Sequence, residues 1–182
     1  GRIALSTAPW AAQCSNITEI SLGKNINTIG TYAFAYCNRV NEVTIPENLL
    51  YIRDNAFKGM TELKKVYIKN VKTDNALITH IDGCPFADCS SDLMINLTNA
   101  NVIAAYINDY YWQKEYGSKF YAEGYCGVAD ANGGKNIKWS LMPINGETIN
   151  IGNEDHPDNR QAYALSITKN TDDEDANLAM KE

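Results

Sequence analysis

AFAYCNRVNEVTIPENLLYIRDNAFKGMTELKKVYI, residues 33–68, is a sentence said nearly twice. Phe34 falls on Phe57, Cys37 on Met60, Val40 on Leu63, Val43 on Val66 and Ile45 on Ile68, each pair 23 residues apart. A period in the twenties marks a repeat solenoid, in which each turn of chain needs a neighbouring turn to bury its apolar side. Extended backwards, the same spacing sets Ala11 under Phe34, Cys14 under Cys37, Ile17 under Val40, Ile20 under Val43 and Leu22 under Ile45, a partial first coil. Extended forwards it requires a six-residue insertion within residues 69–75. Ile81, Phe86, Cys89, Ile95 and Leu97 then take the places of Ile52, Phe57, Met60, Val66 and Ile68, so the chain holds about three and a half coils.

Val43 and Ile45, two apart, share one side of a short strand. Val40 turns the corner into it, while Phe34 and Ile29 fill the interior from the opposite wall. The strand residues between the buried ones point outward and stack into rows of their own: Glu19, Glu42, Lys65 and Met94 in one, Ser21, Thr44, Tyr67 and Asn96 in the other. This face is polar, mixed in charge and carries one aromatic, Tyr67. A docking face and a plain solvated face both fit it.

Ile29-Gly30-Thr31-Tyr32-Ala33-Phe34-Ala35-Tyr36-Cys37, followed by Val43-Thr44-Ile45-Pro46, resembles the BspA-like leucine-rich repeats of bacterial surface proteins. Their signature is I-G-x-x-A-F-x-x-C … L-x-x-V-x-I-P. Residues 17–97 follow it, with Pro85 where Ala is usual in the last coil. Ala8-Pro9-Trp10 is similar to an element that precedes the first full repeat in that family, which makes Trp10 a lid on the first coil. The resemblance implies an α/β-type repeat solenoid, strand-dominated with a short helical cap, in an extracellular, surface-displayed protein of a host-associated bacterium. It further implies a non-enzymatic adhesion or interaction module binding a host or matrix protein. A structural spacer within a larger surface protein is the alternative.

The chain of 182 residues, 45% apolar, is long enough for one domain or one with a smaller companion. No stretch approaches a membrane span. Residues 151–182 carry eight acids against three bases, most of the net charge of −6. An acidic chain without a basic stripe argues against nucleic acid or anionic lipid as partner. The chain has neither an initiator Met nor a charged, apolar leader, and reads as an internal fragment or as a protein whose secretory signal has been removed.

Cys14, Cys37 and Cys89 occupy one interior repeat position where Met60 substitutes, which reads as a packing column. Adjacent coils also bring Cys14 and Cys37 near each other, so a bridge between them stays open. Cys84 and Cys126 stand outside the column, and their spacing with Cys89 fits no zinc pattern. The two histidines, His80 and His156, lie in no nucleophile, zinc-protease or phosphate-loop motif, so no catalytic residue and no cofactor is expected. Asp130-Ala131-Asn132-Gly133-Gly134 lacks the further acids of a calcium loop, and Asp172 to Asp175 has charge without a turn residue, so neither is a metal site. The sequons at Asn16 and Asn96 fall where the strand pattern already accounts for them.

After Leu97 the period gives way to helical spacing at Val102, Ile103, Tyr106, Ile107 and Tyr110, with Thr98 or Asn99 as N-cap. Tyr110, Tyr111, Trp112, Tyr116, Phe120 and Tyr121 follow closely. They suit a cap over the open end of the repeats, and a carbohydrate-stacking platform is the second reading. Residues 1–122 thus form the repeat unit with its lid and cap. Residues 123–182 form a small β-rich element, opened by a boundary at Gly124-Tyr125-Cys126-Gly127. Within it residues 136–151 read as a hairpin turned at Asn145-Gly146, residues 163–167 as a further strand and residues 171–182 as a solvated acidic tail. The string CG … W-x-L … G-x-x-I resembles the β element that opens a repeat unit in the same surface proteins, and residues 148–155 depart from that family's usual T-L-T-I-S-G-T-G.

Overall fold

A computed structural model describes residues 7–69, 78–127 and 133–170. The expected insertion within 69–75 and the tail from Thr171 fall largely or wholly outside them. The chain divides into two compact units, Gly1–Phe120 and Tyr121–Glu182.

In the first unit the 23-residue period becomes two parallel ladders. One joins β1 (Thr28–Ile29), β3 (Tyr51–Ile52) and β5 (His80–Ile81), and the other joins β2 (Glu42–Ile45), β4 (Lys65–Ile68) and β6 (Met94–Leu97). The register is the one the period requires, with Val43 opposite Val66 opposite Ile95 and Ile45 opposite Ile68 opposite Leu97. Ile52 likewise faces Ile81 across the insertion. These inward residues are buried together with Val40, Leu63 and Leu93 at the corners. Burial of a side chain of this size contributes about 1.5–3 kcal/mol, which outweighs the modest intrinsic stability of strands only two to four residues long.

Between the two ladders each repeat makes a tight turn through left-handed backbone. Tyr36, Gly59 and Asp88 occupy the same repeat position with φ of 65°, 69° and 56°. Only one of the three is the residue this conformation favours. Beside this turn the amides run from coil to coil, Phe34 N–H to Ala56 O at 2.8 Å and Phe57 N–H to Pro85 O at 2.8 Å. Pro85 therefore keeps the function of its repeat position, because the position's carbonyl carries the inter-coil bond. What proline gives up is the local turn bond that the Ala33 and Ala56 amides donate to Gly30 and Arg53.

The phenylalanines of these turns stack as one column. Trp10 lies on Phe34 (centroids 5.4 Å apart), Phe34 on Phe57 (5.6 Å) and Phe57 on Phe86 (5.1 Å), all within 14° of parallel. Trp10 thus covers the first complete repeat, and its indole N–H donates to Ala33 O at 2.7 Å. The partial first coil is less regular than its alignment suggests. Cys14 sits in a 3-10 helix, Ala11–Asn16, and residues 17–23 form no strand. Ile17, Ile20 and Leu22 are half-buried.

At the other end two short helices follow β6. Asn99 caps α1 (Ala100–Asn108), its side chain accepting from Asn101 N–H at 2.9 Å. Asp109 then interrupts the helix in extended backbone and caps α2 (Tyr110–Tyr116) by accepting from Trp112 N–H at 3.0 Å. The expected stripe is broken there: Val102 and Tyr106 are buried, while Tyr110 belongs to the next helix and is exposed. Trp112, Tyr116 and Phe120 are buried against Tyr106 or one another.

The second unit is an antiparallel meander of β7 (Phe120–Cys126), β8 (Ile137–Asn150) and β9 (Asn159–Lys169). One expectation fails here: Asn145-Gly146 does not turn a hairpin. Gly124-Tyr125-Cys126 ends β7, a few residues past the division between the units at Phe120 and Tyr121. The strand runs on past Asn145-Gly146 because both of its flanks find partners on β9, Pro143 with Tyr163 and Thr148 with Gln161. The extra residues between them form a bulge, for which Gly146 supplies a φ of 74° and the Gln161 side chain donates to Ile144 O at 2.8 Å. Gly124 lies opposite Trp139 in the ladder, and a Cβ there would stand 2.7 Å from the indole ring, so the glycine makes room for the tryptophan. The alternation at residues 163–167 lies within β9 as expected. It sets Leu165 opposite Leu141 and Ile167 opposite Trp139, with Leu165 and Ile167 62% and 67% exposed.

Candidate functional site

The outward row of the longer ladder is built by strand alternation. Beneath it lie the buried valines, isoleucines and leucines, which fix the strands, and between them Glu42, Lys65 and Met94 stand in one register line and Thr44, Tyr67 and Asn96 in the next. Glu42, Thr44 and Lys65 are exposed, and Tyr67 and Met94 are half-buried. Two parts of the expected row differ. Glu19 and Ser21 are exposed but outside the ladder, because the incomplete first coil forms no strand. Asn96 is only 7% exposed and closed to solvent at the last rung. The accessible, regular part of the face is therefore Glu42, Thr44, Lys65 and Tyr67, with Met94 at its margin.

A second outward row, on the shorter ladder, escaped the sequence reading. Thr28, Tyr51 and His80 are in register and exposed, with the Tyr51 and His80 rings 5.7 Å apart. The Arg53 guanidinium lies 4.5 Å from the centre of the Tyr51 ring and pairs with Asp82 at 2.7 Å. Exposed pairs of this kind contribute little to stability, about 0–1 kcal/mol, but they fix the arginine over the ring. The signal was present in the period: Tyr51 and His80 each precede the repeated isoleucine, Ile52 and Ile81. A two-residue strand gives too short an alternation to stand out.

The aromatic cluster separates into two parts. Trp112, Tyr116 and Phe120 are interior and close the end of the repeats, whereas Tyr110 and Tyr111 are 60% and 63% exposed, their rings 5.4 Å apart and nearly perpendicular at 82°. That edge-on pair offers no continuous flat platform. Tyr121 is half-buried.

Titratable groups elsewhere are tied into local structure. Cys84 Sγ donates to Glu115 at 3.1 Å, and that bond, followed by burial, raises the thiol pKa. The backbone amide of His156 donates to Asn153 Oδ1 at 2.7 Å in a polar loop closed by Asn150 and by the Asp158–Arg160 pair. Among the described residues no group of three or more His, Cys, Asp or Glu could hold a metal ion. Asp130 to Asn132 and Asp172 to Asp175 lie outside those residues. Among the described residues no helix is long and apolar enough to cross a membrane.

A repeating coil with inward aliphatic columns and an exposed strand face defines the class of leucine-rich repeat proteins. Residues 11–114 match the BspA type leucine-rich repeat region, a family description of six copies. The chain belongs to that family. No curated protein and no solved structure matches the chain.

Proposed function

We propose that the chain is a short leucine-rich solenoid serving as a non-enzymatic interaction module of an extracellular, cell-surface protein, and that it binds a host or matrix protein through the outward strand row. The observation that carries this reading is the register of Glu42 with Lys65 and of Thr44 with Tyr67 over a fully buried aliphatic layer. Side chains held by such a ladder lose little conformational entropy when a partner grips them. Tyr67, with Lys65 two residues before it on the same face, is the anchor of the patch, since aromatics dominate interface energetics. Repeat proteins use faces of this kind for binding, and membership of the BspA-type family supports display at the surface.

The test is an array of host matrix proteins and glycans probed with the full chain. Tyr67→Ala should weaken binding to any protein captured by more than about 1 kcal/mol. Truncation after Asn170 should leave it unchanged, because the anchor of the patch lies on the strand row. The reverse pattern would move the function to the C-terminal element. A second reading, carbohydrate binding, rests on single exposed rings of Tyr110 and Tyr111 rather than on a shared platform, and a glycan signal lost on Tyr111→Ala would establish it. Silence on both arrays would leave a spacer.

A further inference from the structure

The sulfurs of Cys14 and Cys37 stand 2.7 Å apart in the buried column. Two thiols in ordinary contact sit farther apart than this, and a covalent S–S bond measures about 2.05 Å. The approach follows from the repeat itself. Positions 23 residues apart lie on neighbouring coils, and at this one the two side chains meet sulfur to sulfur. The other cysteines are differently engaged: Cys89 donates to Phe57 O at 3.2 Å, Cys84 to Glu115, and Cys126 is exposed.

We propose that Cys14 and Cys37 form a disulfide when the chain folds in an oxidising compartment, stapling the N-terminal 3-10 helix to the first complete repeat. The oxidant is a low-molecular-weight disulfide such as oxidised glutathione. One cysteine thiolate attacks it and expels a glutathione thiolate, and the second cysteine thiolate then displaces the other glutathione from the mixed disulfide. Two cysteine thiols lose two protons and two electrons, and one oxidised glutathione becomes two reduced molecules. The staple falls where the repeats are weakest. Residues 17–23 form no strand, and terminal coils of a repeat array are the first to fray. Trp10, the lid on Phe34, lies immediately before the same 3-10 helix, so the bond would hold the lid as well. Burial keeps the formed bond from reductants, and disulfides persist outside the cytosol. The bridge stands apart from the binding reading, since it would form whichever partner the outer face takes.

Alkylation and mass measurement test it. The full chain is folded in oxidised and reduced glutathione, then unfolded and treated with iodoacetamide, with and without prior reduction. The expected unreduced product carries three alkyl groups, on Cys84, Cys89 and Cys126, and yields a linked Cys14–Cys37 peptide; reduction gives five. Five alkyl groups without reduction, glutathione adducts on Cys14 or Cys37, or a bridge to any other cysteine would overturn the proposal. Cys37→Met keeps the column filled, because Met60 holds the equivalent place in the next repeat, and it should abolish the bridge. The oxidised wild type should melt about 6–12 °C above its reduced form. That gap should vanish in Cys37→Met, and equal melting of the two wild-type forms would overturn the stapling role.

Discussion

The Tyr116 hydroxyl accepts the amide of Phe86 at 2.9 Å, in the place where a further repeat would supply a carbonyl. Phe34 N–H is met by Ala56 O, Phe57 N–H by Pro85 O, and Phe86 N–H by a side chain. The shorter ladder ends in the same manner: Thr79 N–H donates to the Tyr106 hydroxyl at 2.8 Å, and the Trp112 indole donates to Thr79 O at 2.7 Å. The last coil therefore keeps its buried polar groups satisfied without another coil. Tyr116→Phe preserves the ring and removes the acceptor, leaving a buried amide unpaired, which costs about 1–3 kcal/mol. Urea unfolding should show that loss. A change below about 0.5 kcal/mol would mean the cap acts by its apolar surface alone.

The inner column and the outer row should differ sharply in their tolerance of truncation. Phe57 is fully buried between Phe34 and Phe86, so Phe57→Ala should destabilise by about 3–5 kcal/mol. Thr44→Ala on the exposed face should stay within about 0.5 kcal/mol. Equal effects in chemical denaturation would contradict the register.

Gly59 and Tyr36 should be coupled. A Cβ on Gly59 would stand 2.5 Å from the Tyr36 ring and would be held at a φ of 69°. Gly59→Ala should therefore lose about 1–3 kcal/mol, from backbone strain together with the ring contact. In the background of Tyr36→Gly, which removes the ring, the same substitution should lose less, and a double-mutant cycle measures the difference. Additive effects would place the whole penalty in the Gly59 backbone.

Alkaline conditions should loosen the cap. Burial pushes the Tyr106 phenol up to about 12, against a weaker opposing effect from its bonds to Thr79, and pushes the Cys89 thiol up to about 11. Burial also raises Tyr116. Each of these groups is neutral when protonated and ionises first in the unfolded chain. Between the ordinary phenol value of 10 and about 12, the unfolded state thus binds fewer protons than the native state, and stability falls as pH rises. Tyr106 alone contributes up to about 1.4 kcal/mol per pH unit across that window. Urea midpoints at pH 8 and pH 11 should show the decline, and Tyr106→Phe should flatten it while lowering the midpoint at pH 8. An unchanged slope in the variant would remove Tyr106 from the transition.

What the sequence determined by itself was the stacking of the complete repeats. Phe34 and Phe57, Val43 and Val66, and Ile45 and Ile68 declare their stacking because a column of identical positions is linear information, and the alternation around them names the outward residues. The helical cap was legible for the same reason, from the spacing of Val102 and Tyr106 behind Asn99. Tertiary structure alone decided which hydrogen bonds close the ends and which outward residues stay accessible. Asn96 follows the alternation of Thr44 and Tyr67, yet burial depends on what surrounds the last rung, and no spacing encodes that. Asn145-Gly146 carries the local preference for a turn, but strand pairing on both flanks overrode it, since the ladder bonds on either side of the bulge satisfy more backbone groups than one tight turn. The Tyr116–Phe86 bond joins residues with no shared period, and only folding brings a hydroxyl to the amide that lacks a neighbour.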